Sequence, residues 1–248
     1  MAIQIISAEK QVQGNFDNGK ILERKPIGFP HEGGITKSYS TLFYWAYAWS
    51  EKGGLIDEHP HKGFEIMSYV LRGEIEHYDS QLKGWKKLKA GDAQIIRAGN
   101  GITHAEKILS DSAIFQIWFD PNLNKTLSQK ATYNDYVSES FPVFIDKESS
   151  AKIIVGGTDF KMESKIDYIQ EITFFVNEKK FHASSESVYS FFLLEGNLEM
   201  NGNKMQKNDF AILKEETQMK FSNIQVNSKI FLIKSPLKLD FKTYSEMM

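Results

Sequence analysis

Short runs of apolar and aromatic residues, separated by glycine and polar turns, dominate the chain. Several of these runs alternate apolar and polar positions with a period of two: residues 41–49, 65–71, 74–80, 93–98 and 113–119. Such alternation in β-branched and aromatic residues predicts short strands. Amphipathic helical patterns are scarce, and we expect helices only in short segments around residues 124–136 and 243–248. The pattern therefore predicts an all-β fold, either a sandwich or a barrel.

A weak internal repeat runs through the sequence. The segment YVLRGEIEH (69–77) resembles FLLEGNLEM (192–200), and KAGDAQII (89–96) resembles QKNDFAIL (206–213). Each half consists of strand, glycine turn, strand, hairpin, turn and strand. Both the order of these elements and the chemistry of their turns recur, which is typical of a duplicated unit.

The seam between the two halves is expected within residues 121–150, where Pro121, Asn122 and a polar run interrupt the strand pattern. A chain of 248 residues has room for two small all-β domains, each with its own core. The sequence therefore predicts two tandem barrels, residues 1–130 and residues 131–248.

Composition narrows the chemistry that these barrels can carry. The chain has no cysteine, which excludes disulfides, thiolate metal sites and cysteine nucleophiles. A net charge of −2 predicts no attraction to nucleic acid or to anionic membranes. The N-terminal residues lack the pattern of a signal peptide, and no apolar run is long enough for a membrane span. We expect a cytoplasmic protein that contacts neither nucleic acid nor membrane directly.

Two of the six histidines, His59 and His61, flank a proline. Residues at positions i and i+2 share one face of a strand, so both imidazoles can reach one metal ion. His104 and Glu106 repeat this spacing, and the strands between could return the chain beside the first pair. Three imidazoles and one carboxylate suit Fe(II), Ni, Mn, Cu or Zn and disfavour calcium and magnesium. For the His59–His61 stretch alone, a solvated polar loop is the competing interpretation.

The surrounding motifs are recognisable. The segments HPHKGFEIMSYVLRGEIEHYDS (59–80), AGNGITHAE (98–106) and FQIWFDP (115–121) resemble the pirin family of the cupin superfamily. The strong match covers roughly residues 53–121, and the remainder fits a second cupin barrel. The resemblance implies a bicupin, two tandem jelly-roll barrels, with the metal only in the N-terminal one.

By this resemblance the metal, usually iron, would be held by His59, His61, His104 and Glu106. Ordinary cupins often take a glutamate from the first motif, for which Glu65 is the candidate. The pirin pattern and the spacing from His104 favour Glu106, but spacing alone leaves both open.

The resemblance also implies a function. Some pirins have quercetin 2,3-dioxygenase activity, so the expected function is an Fe(II)-dependent dioxygenase that acts on a flavonol-like phenolic substrate with O2. In this interpretation Glu106 also accepts the proton of the substrate hydroxyl. The alternative is a metal- or redox-sensing regulatory protein that acts through protein partners, and a cupin that binds metal adventitiously is the least favoured. Pirins that resemble this chain are often monomers, and we expect a monomer.

Four further features lie near these motifs. His77, in the segment EIEHYDS, is expected to be structural. Gln116 and Trp118 are expected either to orient a ligand or to pack in the core. The segment STLFYWAYAWSEKGG (40–54) stands where many pirins carry Asp-Pro-Phe, which affects substrate preference if it borders the pocket.

The second half serves as an internal comparison. Aligning its glycine turn with that of the first half places His182 opposite His59, Ser184 opposite His61 and Phe221 at the position of His104. Only one ligand of four would remain, so we expect the second barrel to be scaffold.

Overall fold

The computed structural model describes residues 3–81 and 83–247. These residues form two compact units. The unit called here the first barrel contains residues 11–81, 83–140, 161–164 and 241–247, and the second barrel contains residues 3–10, 141–160 and 165–240.

The elements of the N-terminal half are short and almost all extended. In chain order they are β1 (Ile3–Ile6), β2 (Val12–Phe16), β3 (Ile21–Ile27), β4 (Leu42–Ser50), β5 (Gly54–His61), β6 (Glu65–Arg72), β7 (Glu74–Asp79), β8 (Trp85–Lys89), β9 (Ala93–Arg97), β10 (Ile102–Ile108), β11 (Ser112–Phe119), α1 (Leu123–Thr126) and β12 (Thr132–Tyr136). Single turns of 3-10 helix lie at Ala8–Lys10, Asp17–Gly19, Pro30–Glu32 and Ser138–Ser140.

The C-terminal half continues in the same way. Its elements are β13 (Val143–Ile145), β14 (Ser149–Val155), β15 (Tyr168–Phe174), β16 (Lys179–His182), β17 (Ser187–Glu195), β18 (Asn197–Met200), β19 (Asn203–Gln206), β20 (Phe210–Lys214), β21 (Gln218–Ser222), β22 (Lys229–Pro236) and α2 (Tyr244–Met247). Within the described part of the chain, neither helix approaches the length or apolar character needed to cross a membrane.

The two barrels share one topology. The first barrel has a seven-stranded sheet in the order β12-β9-β6-β11-β4-β3-β2 and a four-stranded sheet in the order β5-β10-β7-β8. The second barrel has sheets in the orders β1-β20-β17-β22-β15-β14-β13 and β16-β21-β18-β19. Each strand of one barrel has a counterpart at the same place in the other. The all-β fold and the internal duplication predicted from sequence are thereby confirmed.

The unit boundaries differ from the expected division into residues 1–130 and 131–248. Strand β1 pairs with β20, so residues 3–10 belong to the second barrel. Residues 161–164 and the described C-terminal residues belong to the first barrel, and the main change of unit falls between residues 140 and 141. The assignment of metal binding to one barrel alone stays a prediction.

The two short helices expected from the sequence have different outcomes. The helix expected over residues 124–136 is wrong, because only Leu123–Thr126 is helical. Residues Thr132–Tyr136 instead pair with Ala93–Arg97 at the edge of the large sheet, where their backbone gains ladder hydrogen bonds. The helix expected over residues 243–248 is present as Tyr244–Met247, and residue 248 lies outside the described part of the chain.

Candidate metal centre

Two neighbouring strands of the small sheet of the first barrel carry the four candidate ligands. His59 and His61 lie on β5, and His104 and Glu106 lie on the adjacent β10. His104 stands directly opposite His59, and the register then shifts by a β-bulge before Glu106. Bulges of this kind re-aim side chains next to functional sites. The i, i+2 spacing seen in the sequence therefore places His104 beside His59 and His61, and Glu106 beside His104.

The three imidazoles converge on their Nε2 atoms. His104 Nε2 lies 2.8 Å from His61 Nε2 and 3.0 Å from His59 Nε2. Ligand atoms on one face of an octahedron, each about 2.1 Å from a metal, are about 3.0 Å apart, whereas a tetrahedral set would be about 3.4 Å apart. The two measured separations fit neighbouring positions of an octahedral site better than those of a tetrahedral one.

The hydrogen bonds and burial of these rings favour neutral imidazoles. His59 Nδ1 lies 2.7 Å from the carbonyl oxygen of Asp57, which accepts a hydrogen bond from Nδ1–H, so the neutral form of this ring has its lone pair on Nε2. Burial, followed by electrostatic repulsion from the neighbouring His59 ring whenever that ring is protonated, lowers the pKa of His61 to about 3. Burial and the neighbouring imidazoles hold the pKa of His104 well below its usual value. Neutral imidazole is the form that binds a metal.

Glu106 is fully buried, and the facing sheet holds its carboxylate on both sides. The Ser68 hydroxyl on β6 donates to Oε1 at 2.7 Å, and the Gln116 amide on β11 donates to Oε2. Gln116 is oriented in turn by Trp118, whose indole N–H donates to Gln116 Oε1 at 3.1 Å. A carboxylate has about four lone-pair positions, so these two bonds leave room for a metal.

The donor atoms fall into two groups that share His104. One group is His59, His61 and His104, and the other is His77, His104 and Glu106, each with its atoms within 4.8 Å of one another. His77, expected to be structural, is therefore adjacent to the candidate ligands and completely buried. Its Nε2 lies 3.2 Å from Asp79 Oδ2.

Glu65, the alternative carboxylate, points to a different neighbour. It is 1% exposed, and its two oxygens accept the backbone N–H groups of Glu163 at 2.8 Å and Ser164 at 2.7 Å. Burial raises the pKa of Glu65 in spite of these bonds. No described donor group for a metal includes it.

Aromatic rings flank the imidazoles. Trp118 meets His61 edge-on with ring centroids 4.7 Å apart. Phe43 and Tyr44, from the segment that departs from the pirin pattern, pack against Trp118 at 6.4 and 5.4 Å. Phe43 and Tyr44 of that segment are therefore separated from His61 by the ring of Trp118.

The second barrel carries apolar side chains where the first carries donors. Phe181 pairs with Met219 on β16 and β21, as His59 pairs with His104 on β5 and β10. Phe221 pairs with Met200, as Glu106 pairs with His77. The alignment that placed His182 opposite His59 is thus wrong, because it is off by one residue and a shift of one residue reverses the face of a strand.

Three contributors to the site carried weak signals in the sequence. Ser68 is a small polar residue in an otherwise apolar strand, Asp79 shares the face of His77, and the carbonyl of Asp57 has no side-chain signal at all. Ser68 and Asp79 were identifiable as polar residues on buried strands, but their partners lie on strands that only the fold brings together.

Comparison with known proteins agrees with this geometry. The family model described as Pirin matches residues 40–119. A putative quercetin 2,3-dioxygenase of Zymomonas mobilis is 37% identical over 39% of this chain and 38% of its own length. The quercetin 2,3-dioxygenase of Escherichia coli K12 is 42% identical over 30% of this chain and 33% of its own length. In both, the matched part is only about a third of the relative's length.

Longer matches are more distant. A putative quercetin 2,3-dioxygenase of Pseudomonas aeruginosa is 26% identical over 71% of this chain and 75% of its own length. The crystal structure of the bacterial pirin YhhW of Escherichia coli in complex with nickel(II) superposes with a TM-score of 0.78, at 22% identity, over 94% of this chain and 99% of that one. A quercetin 2,3-dioxygenase structure from Acinetobacter baumannii gives a TM-score of 0.78 at 16% identity, over 94% and 79%. These structures show that the fold is a bicupin.

Proposed function

We propose that the chain is a pirin-type protein, since the family model described as Pirin matches its residues 40–119, and that it is a metal-dependent dioxygenase acting on a flavonol-like phenol. The pirin and cupin family binds a divalent metal. The observation that carries the proposal is the convergence of three Nε2 atoms at 2.8 and 3.0 Å beside a buried carboxylate. The names of the relatives, quercetin 2,3-dioxygenases among them, supply the substrate class.

In this proposal His59, His61, His104 and Glu106 hold one divalent metal, with Fe(II) the first choice and Ni, Mn, Cu or Zn the other candidates. Bound there, such a metal supplies a Lewis-acidic centre with open positions for a substrate oxygen and O2. Neutral imidazoles do not reduce the positive charge of a bound divalent metal, whereas Glu106 contributes one negative charge that partly compensates it.

Glu106 has a second role in the proposal. Its carboxylate takes the proton of the substrate hydroxyl, since a positioned carboxylate with a free lone pair can act as a general base. Ser68 and Gln116 hold it in place for this transfer. Trp118, packed against His61, provides an apolar wall that excludes water from that side of the site.

The test joins metal analysis to an assay of aerobic quercetin cleavage. The full chain is purified without chelator and without a histidine tag, and the variants are His59→Ala and Glu106→Ala. His182→Ala is the matched control, because it removes an exposed histidine from the second barrel. We expect about one metal per chain and release of carbon monoxide with O2 consumption in the wild type and in the control. Both properties should be lost in the two site variants.

The other outcomes are equally informative. A wild-type protein without bound metal would refute the metal site. Full metal with no cleavage of quercetin would refute the flavonol substrate and favour the regulatory alternative. Turnover and metal content that survive Glu106→Ala would remove Glu106 from both of its roles.

A further inference from the structure

His104 presents only one of its two ring nitrogens to the candidate ligands. Nε2 faces His59 and His61, whereas Nδ1 is buried with no hydrogen-bond partner in the described part of the chain. A neutral imidazole that offers the Nε2 lone pair to a metal must carry its proton on Nδ1. His104 therefore has a buried N–H group that needs an acceptor.

His77 supplies an acceptor of the right kind in the same buried space. Its ring centroid lies 5.5 Å from that of His104. Its Nε2 lies 3.2 Å from Asp79 Oδ2, and a carboxylate accepts only, so the proton of His77 is on Nε2. The lone pair of His77 is then on Nδ1, which is also buried with no described partner. One unsatisfied donor and one unsatisfied acceptor lie on neighbouring rings.

The strands keep this arrangement in place. On β7, His77 stands opposite Glu106 and Asp79 stands opposite His104. Asp79 Oδ1 also accepts the backbone N–H of Gln81 at 2.7 Å, which fixes the carboxylate. His77 and Asp79 share one face of β7 because they are two residues apart.

The second barrel gives an independent comparison. Where Met219 stands in the place of His104, Met200 stands in the place of His77. Both methionines are buried in the apolar core. The second barrel thus lacks an imidazole at the position of His104 and also at the position of His77. This is expected if the imidazole of His77 supports that of His104.

We propose that His77 and Asp79 are positioning residues for His104. The His104 Nδ1–H group donates to His77 Nδ1, directly or through one buried water, and His77 Nε2–H donates to Asp79. This chain fixes the tautomer and orientation of His104 and strengthens Nε2 as a donor, the usual role of groups behind a metal ligand. The inference rests on the metal-binding part of the proposed function and is independent of its substrate.

The test measures Co(II) binding to the metal-free full chain by competition with a chelator, together with the visible absorption of bound Co(II). His77→Phe keeps the ring volume and removes both nitrogens, and we expect Co(II) to bind 10- to 100-fold more weakly, with unchanged absorption bands. His77→Asn returns an acceptor near the position of Nδ1 and should recover part of the loss. Asp79→Asn removes the charge at the end of the chain and should give a smaller loss.

Thermal unfolding of each metal-free variant checks that folding is retained, and His77→Asn and Asp79→Asn keep the test open if His77→Phe does not fold. Unchanged Co(II) affinity in all three variants would refute the inference. Loss of binding by a thousandfold or more, with altered absorption bands, would show that His77 is itself a ligand and would also refute it. Absence of Co(II) binding in the wild type would mean that the metal site itself fails, whereas retained binding without dioxygenase turnover would leave the inference intact.

Discussion

Ser68 and Glu106 join the two sheets of the first barrel through its interior. The Ser68 hydroxyl donates from β6 of the large sheet to Glu106 Oε1 on β10 of the small sheet, at 2.7 Å. Gln116 on β11 donates to the other oxygen, Oε2. Residue 106 therefore faces a donor on each side, an environment that suits a carboxylate better than an amide.

This environment makes Glu106→Gln a disruptive substitution. If the amide nitrogen of the new side chain faces Gln116, it meets another N–H donor and is left unsatisfied. If it faces Ser68, the hydroxyl must accept instead of donate, and its own hydrogen loses its acceptor. We expect a loss of about 1–3 kcal/mol in the free energy of unfolding, measured in urea on the metal-free protein. Metal binding should weaken as well, because the negative charge is lost.

The double variant Glu106→Gln/Gln116→Glu separates these two effects. The carboxylate at 116 accepts from both Trp118 and the amide at 106, and the carbonyl at 106 accepts from Ser68, so every hydrogen bond is restored. We expect the stability to return while the metal affinity stays low. A double variant as unstable as Glu106→Gln would contradict the hydrogen-bond assignment.

Glu65 and Glu106 should respond in opposite ways to alanine. Glu65→Ala leaves the N–H groups of Glu163 and Ser164 without an acceptor, and we expect a loss of about 2–4 kcal/mol in unfolding free energy. Its metal content, measured by mass spectrometry, should equal that of the wild type. Metal lost from Glu65→Ala and retained in Glu106→Ala would reverse the assignment of the carboxylate ligand.

Strand periodicity was enough to predict that His59 and His61 share one strand face and not enough to predict which residues contact the candidate ligands. The i, i+2 spacing of His59 and His61 placed both rings on one face, since that face is fixed by the alternation within one strand. The roles of Ser68 and Glu65 depend on which distant segment faces them, which no local pattern encodes. The misplaced His182 shows the same limit, because strand pairing, and not a count from the glycine turn, decides which side chain faces inward.

Asp120 gives a pH dependence that can be measured apart from the site. The carboxylate is buried and accepts the backbone N–H of Tyr244 through Oδ2, but Oδ1 has no partner among the described residues. Burial, partly offset by that hydrogen bond, raises its pKa from 3.8 to about 6. The folded state therefore binds this proton more tightly than the unfolded state.

The sign follows from linkage. A folded-state pKa above the unfolded value means that the contribution of Asp120 to stability is greatest below about pH 4 and falls as the pH rises to about 6. Asp120→Asn keeps an acceptor for Tyr244 and removes the charge, so we expect it to stabilise the protein at pH 7 by at most about 3 kcal/mol. Unfolding in urea between pH 4 and 7 measures this, and parallel curves for variant and wild type would exclude the effect.

The duplicated glycine turn offers the last prediction. Gly73 and Gly196 have φ angles of 71° and 81°, and a Cβ atom at either would lie 2.1 Å from the Oγ of Ser112 or Ser228. Alanine at either position should lower the free energy of unfolding by about 2–4 kcal/mol, because both the left-handed backbone and this overlap are unfavourable. Gly202→Ala is the matched control, because its φ is 78° and no atom lies within 4 Å of the added Cβ.

The two barrels can be followed separately in this experiment because all four tryptophans lie in the first: Trp45, Trp49, Trp85 and Trp118. We expect Gly73→Ala to lower the urea midpoint reported by tryptophan fluorescence. Gly196→Ala should act on the transition seen by far-ultraviolet circular dichroism, which reports both barrels. The control should lose only about 1–2 kcal/mol, the cost of the left-handed backbone alone. A control as unstable as the other two variants would show that the backbone conformation, and not the contact with the serine, accounts for the loss of stability at Gly73 and Gly196.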